Sequence, residues 1–358
     1  VSAVGAGSGG SREETLTTIF QRVIANFGPI TLQHYMGESN ARYYAGKDPL
    51  GSGGDFITAP EISQMFGELI GLWLADIWIR AGRDEAVHYV ELGPGRGTLA
   101  KDALRAMKRY GLEPRVHFVE SSTTLKDLQI AAVPGAQLHA DLSTVPMDGP
   151  LLVVGNEFLD ALAVRQLVRM ADGWRERLVD FQDGRFLPVA GTKPMDAAVP
   201  AEWKDSPEGT LIETCPGAAA VVYELAGRLV DQGGAALLID YGHDHFRTGS
   251  TLQALRAHTR VDPFVAPGEA DLTCHVDFAA LAKVALSHDC RHLGTVTQGR
   301  FLRDLGIEAR AQALAKVAPQ HTKALHAAKE RLIEEGQMGA LFKVMGLASP
   351  NWPDGAGF

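Results

Sequence analysis

The stretch HYVELGPGRGTLAKDALRAM, His88–Met107, constrains the fold more than any other part of this chain. An apolar run reads as a buried strand and carries an acid, Glu91, just before its end. Glycines then alternate at 93, 95 and 97, and a helical pattern opens at Thr98. A strand, a glycine turn and a helix in succession form a βα unit whose turn aims backbone N–H groups at a small charged ligand. The alternation then repeats. Candidate strands at 88–92, 115–119, 136–140, 151–155, 235–240, 290–297 and 340–347 alternate with helical stretches near 98–109, 121–131, 217–231, 277–287 and 299–304. This order predicts an α/β fold, a doubly wound and mostly parallel sheet of seven strands.

Residues 1–85 read as a helical extension with a lid loop, and 86–358 as the main domain with insertions. In the extension, Leu16, Ile19, Phe20, Val23 and Ile24 repeat at helical spacing. GPITLQHYM follows as a turn and a second short helix. GSGGDFITAP is a glycine-rich lid, from which Asp55, Thr58 and Glu61 reach toward a ligand or target. Thr58-x-x-Glu61 resembles a capping box for a helix running to about Arg80. The insertions lie at 163–210, an antiparallel meander around Asp-Gly turns, at 242–276, mostly loop, and at 307–336, helical.

The glycine turn narrows the ligand. A mononucleotide P-loop needs Lys-Ser/Thr where this chain has Thr98-Leu99. A dinucleotide fingerprint needs a third glycine where Thr98 stands. Glu91 decides more, because a carboxylate there repels a pyrophosphate and suits a ligand with an ammonium and a sulfonium. S-adenosylmethionine carries both, and its own carboxylate suits the N–H groups of the turn built around Gly93, Gly95 and Gly97 and the helix N-terminus behind it. Glu120 ends the second strand, where an acid hydrogen-bonds ribose hydroxyls in dinucleotide and S-adenosylmethionine sites alike. After the third strand, Asp141 fits the adenine amino group and the Leu142 amide the ring. A helix N-cap is an equal reading of Asp141. The fourth strand runs into Asn156-Glu157-Phe158-Leu159-Asp160, and a buried strand ending in two acids is costly unless they are used. The alternative there is a helix start, capped by Asn156.

Composition excludes some classes. A net charge of −9 disfavours a binder of nucleic-acid backbones. The three cysteines lie far apart, so neither a disulfide framework nor a zinc site is expected, and a reducing compartment follows. No apolar run approaches the ~20 residues of a membrane span. The first residues, VSAVGAGSGGSREE, lack the pattern of a secretory signal and read as a flexible tail. Bacterial cytoplasm is the first expectation for the compartment and the mitochondrial matrix the second.

The stretches GPITLQHYM, GDFITAPEISQMFGELIG, VELGPGRGTLAKD, GNEFLDALAVRQ, GAALLIDYG and DLTCHVDF together make the chain resemble the MidA/NDUFAF7 family. That is a family of class I S-adenosylmethionine-dependent methyltransferases whose mitochondrial members assist respiratory complex I assembly. The resemblance implies a Rossmann-like methyltransferase sheet, S-adenosylmethionine as cofactor and a protein substrate, a respiratory-complex subunit among the candidates. It further implies arginine methylation, with symmetric dimethylarginine as the product type of the mitochondrial branch. Glu157 falls where other arginine methyltransferases place one acid of an acidic pair. Asp160 is a candidate assistant, while Asp240, Tyr241 and His275 are expected near the same edge. His275 would orient a carboxylate or relay a proton, with a purely structural role an equal reading of a lone histidine. The rival readings are a small-molecule methyltransferase, an assembly chaperone that binds the donor, and, as fallback, a nicotinamide oxidoreductase.

Overall fold

The computed structural model describes residues 14–46, 57–120 and 124–358. The expected flexible tail and the part of the lid that holds Asp55 lie outside these residues. The main sheet is built from β1 (His88–Leu92), β2 (Arg115–Val119), β3 (Gln137–His139), β4 (Leu151–Asn156), β5 (Gly234–His243), β6 (Arg291–Thr297) and β7 (Phe342–Ala348). They lie in the order β3-β2-β1-β4-β5-β7-β6. The first five strands are mutually parallel, whereas β7 runs antiparallel to both β5 and β6. An eighth short strand, Val276–Asp277, pairs with the end of β5. The sheet is therefore mainly parallel but mixed, and eight strands rather than seven belong to it.

Burial on both faces explains the near-continuous apolar runs of the central strands. Leu152 and Val154 of β4 pack on one face with the helix Gln64–Arg80, while Leu151 and Val153 pack on the other with the helix Pro216–Gln232. Gln64–Arg80 lies close against Thr98–Lys108, and only a glycine permits that approach. A Cβ on Gly71 would sit 2.3 Å from the Ala103 carbonyl oxygen.

Four expectations change. The helix expected to start at Thr58 is broken: Ala59–Ile62 stops at extended Ser63, whose side chain caps Gln64–Arg80 by accepting the Met65 N–H. The capping box fails because Glu61 accepts from the Thr98 hydroxyl at 2.5 Å, and the Thr58 side chain makes no capping bond. The short helix after GPIT is 15 residues long, Leu32–Gly46. The segment 242–276 contains a three-stranded antiparallel sheet, Gln253–Arg256, Thr259–Val261 and Asp271–Thr273, rather than mostly loop.

The meander forms as expected around its Asp-Gly turns, and Ile30–Thr31 joins its edge beside Gly173–Gln182. Asn40, buried in the helix Leu32–Gly46, donates to the carbonyls of Ala161 and Leu272 and accepts the Leu272 N–H. One amide thereby ties the extension to the segments that follow β4 and β5. The sheet interior holds a further polar line. His88, His117 and His139 on adjacent strands hydrogen-bond ring to ring at 2.8 and 2.9 Å.

The helical insertion is anchored by charge. Arg310 forks onto Glu68 at 2.7 and 2.8 Å, and Arg105 reaches the same carboxylate at 3.1 Å. Burial alone would raise the Glu68 carboxyl, but the bonds and charges of Arg310 and Arg105 outweigh it and hold it low. Its contribution is complete above the unfolded value of about 4.3 and is lost as pH falls through the lower folded value. Glu68→Gln should reduce the unfolding free energy at neutral pH by about 2 kcal/mol. In denaturant titrations the gap to wild type should narrow below about pH 4; equal stability at pH 7 would contradict the anchoring role.

Candidate active site

The glycine turn opens the site. Gly93, Gly95 and Gly97 have φ of 63°, 54° and 78°, a region that L side chains rarely adopt. The Gly93 N–H continues the β2 ladder to the Val119 carbonyl at 3.0 Å, and Gly97 closes the turn on the Pro94 carbonyl at 2.8 Å. A Cβ on Gly93 would meet the Phe158 ring at 2.8 Å. Gly97 then starts the helix Thr98–Lys108 without a side-chain cap.

Beside this turn lies a cavity of about 640 Å³. It sits where β1, β2 and β4 end, and the helix Leu32–Gly46 closes it through Asn40 and Tyr44. Four carboxylates line it, Glu61, Glu91, Glu120 and Glu157, against one described guanidinium, Arg96. Glu91 is 3% exposed. The Tyr89 hydroxyl donates to it at 2.6 Å. Burial pushes its carboxyl up to about 8 in spite of the Tyr89 and Ala100 donors. On the same wall the buried Oδ1 of Asn156 has no hydrogen-bond partner among the described residues. A wall this rich in carboxylates, with an orphaned acceptor beside them, fits a ligand with positive charge, N–H donors and hydroxyls.

Glu157 has a constructed geometry. Its N–H closes on the Ile239 carbonyl at 2.9 Å, yet its φ is 52°. A non-glycine residue in that region costs about 1–3 kcal/mol and persists only where the surroundings over-determine it. Asp240, at the matching level of β5, supplies that force. Its Oδ2 accepts the N–H groups of Phe158, Leu159 and Asp160 at 3.1, 2.9 and 3.2 Å, and its Oδ1 accepts that of Tyr241 at 3.0 Å. The Glu157 Oε1 accepts the Ala59 N–H at 3.0 Å and the Asn156 amide at 3.1 Å. Its Oε2 has no donor among the described residues. Burial first, then the charge of Asp160, raises Glu157 to about 7 against these donors.

The structure thus brings Glu91, Gly93, Gly95, Glu120, Asn156 and Glu157 to one cavity, with Gly97 directly behind. It places the remaining expected residues elsewhere. Asp141 accepts from the backbone of Ser143 at 3.0 Å as the N-cap of a short 3-10 turn. Neither it nor Leu142 lines the cavity. Asp160 is buried behind Glu157, hydrogen-bonded to Tyr241, and burial raises it. His275 lines a second cavity instead, where Arg247 donates to its Nδ1 at 3.2 Å and burial lowers it to about 4. His275 therefore does not line the carboxylate-rich cavity, and residues following β4 are divided between the two cavities, Phe158 in one and Leu159 in the other. Sequence reasoning missed Tyr89, Phe158 and Arg96. Tyr89 was findable, since residues two apart on a strand share a face.

The family model described as "Putative S-adenosyl-L-methionine-dependent methyltransferase" matches residues 69–296. The mitochondrial protein arginine methyltransferase NDUFAF7 of Xenopus laevis is 36% identical over 89% of this chain and 81% of its own. The human protein of the same name is 34% identical over 90% of this chain and 81% of its own. A Burkholderia thailandensis COG1565 superfamily member, crystallised with S-adenosyl-homocysteine, is 30% identical and superposes with a TM-score of 0.80 over 92% of this chain and 90% of its own. Among the described residues no helix is long and apolar enough to cross a membrane, and no group of three or more His, Cys, Asp or Glu could hold a metal ion. The chain belongs, with the NDUFAF7 proteins, to a family of S-adenosyl-L-methionine-dependent methyltransferases.

Proposed function

We propose that this methyltransferase acts on an arginine of a protein, with a respiratory-complex subunit as the candidate target. The observation that carries the reading is Glu157, a half-buried carboxylate with one oxygen that has no donor among the described residues, at the cavity wall shared with Glu91. The arginine methyltransferase designation of the relatives supports it, and their mitochondrial designation accords with a matrix enzyme. S-adenosylmethionine supplies an electrophilic methyl group when bound. Glu91, Asn156 and the glycine turn are the proposed contacts to its amino-acid end, and Glu120 the contact to its ribose.

This chain's own residues then have to handle a guanidinium that is protonated at any ordinary pH. A carboxylate hydrogen-bonding one edge of the guanidinium draws the charge to those nitrogens and leaves another richer in electron density. Glu157, whose Oε2 has no donor among the described residues, is the group proposed for this and must be ionised to do so. Asp240 acts through Glu157, as a positioning residue. Alignment and fixed electrostatics of this kind are the main catalytic resources for such a transfer.

Three outcomes test the reading. Glu91 is largely protonated at pH 7, so binding a cationic donor should expel a proton. Calorimetry in buffers of different ionisation enthalpy should show that release in wild type and its loss in Glu91→Gln. Next, Glu157→Gln should keep donor affinity within about threefold while lowering labelling of host-lysate proteins by at least about 100-fold. In wild type that labelling should rise with pH through about 7 as Glu157 ionises; a flat profile counts against the role. Finally, Asp240→Asn keeps a carbonyl oxygen for the three N–H groups and should retain more labelling than Asp240→Ala. Donor-binding Glu157→Gln protein that still restored respiratory assembly in a deletion strain would favour the chaperone reading.

A further inference from the structure

A second cavity, of about 420 Å³, lies beside the donor cavity at the same carboxyl edge. Its floor is apolar and fully buried, formed by Leu159, Ile212, Ala218, Val276 and Leu281. Its rim is aromatic and cationic. Trp203 and Phe246 meet edge to face at 5.7 Å, and the Lys283 ammonium stands 4.9 Å over the Phe246 ring. Phe246 is 54% exposed, a position that leaves a large apolar side chain in water.

The acids on its wall are already occupied. Glu202 accepts from Lys283 at 2.8 Å, Glu213 from the Gln166 amide and the Thr251 N–H, and Asp277 from the Ala280 N–H. The exposed Arg247 guanidinium, by contrast, has among the described residues only the neutral His275 ring as its hydrogen-bond partner. The cavity therefore suits an apolar group on its floor, with a carboxylate taken at the rim by the Arg247 guanidinium.

The two cavities share one wall. Glu157, Phe158, Ala161, Leu162 and Ala163 face the donor cavity, while Leu159 and Val164 of the same segment face the second. Any chain whose arginine reaches Glu157 must pass close to that segment, and an extended polypeptide advances only about 3.3–3.6 Å per residue. We propose that the second cavity receives an apolar side chain lying a few residues from the methylated arginine, with an acidic neighbour held by Arg247. The cavity thereby sets which arginines are chosen. This inference rests on the protein-arginine reading above.

The test uses the full chain, labelled S-adenosylmethionine and an arginine-centred peptide library. Wild type should prefer peptides with an apolar and an acidic residue at fixed offsets from the arginine. Ala280→Trp fills the cavity from an exposed wall position, and it should lose the apolar preference. KM for the preferred peptide should rise about tenfold or more, with kcat within about twofold. Arg247→Glu should exchange the acidic preference for a basic one, a gain that misfolding does not produce. Calorimetry should give both variants wild-type donor affinity. The same peptide preferences in all three proteins, with donor binding intact, would overturn the inference and leave the arginine reading standing. Methylation of no peptide by wild type would overturn both.

Discussion

Everything at this site depends on carboxylates kept out of water before any ligand neutralises them. Glu91 and Glu157 are both held above the usual carboxylate range by burial, a cost the fold bears without a cation among their described hydrogen-bond partners. Such a wall is poised for a positive ligand, because the arriving charge supplies the stabilisation that burial removed. A pyrophosphate brings no such stabilisation, because it favours the protonated carboxyl and is repelled by the ionised one. The glycine turn, shared by several ligand classes, chooses little by itself; the acids around it choose.

The sheet transmits this arrangement to the reacting edge. β4 and β5 are neighbours with Asn156 level with Ile239, so the residues that follow each strand emerge side by side. The Asp240 carboxylate gathers three successive N–H groups after β4, and that cluster holds Glu157 in a conformation its side chain would not choose. The extension closes the opposite side: Ala59 donates to Glu157, and Thr98 of the glycine-turn helix reaches Glu61. One ring of contacts thus joins the extension, the turn and the two strands.

Much of this was legible in the sequence because it rests on local patterns. The βα alternation, the glycines at 93, 95 and 97, and the acids Glu91, Glu120 and Glu157 at strand ends are read directly from order and spacing. Other features depended on partners distant in the chain. The Thr58–Glu61 box looked sound locally, yet Thr98 takes the Glu61 carboxylate. Asp141 lies after a strand as a ligand-binding acid would, but its nearest donor is Ser143 two residues on. His275 sits in a motif shared with the family, while its side chain turns to Arg247 and another cavity. The histidine line through β1, β2 and β3 also escaped notice, since only strand register brings His88, His117 and His139 together. The strands within 242–276 are short and pair only with one another, which leaves little periodicity to read.

The most direct test of the central claim, that buried carboxylates select a positively charged adenosine ligand, is a side-by-side calorimetric titration with S-adenosylmethionine and NADH. Both present an adenosine to Glu120, and they differ in the charge offered to Glu91. Saturable binding of S-adenosylmethionine with no measurable binding of NADH is the result this account predicts. NADH binding as tightly as S-adenosylmethionine, or more tightly, would contradict it.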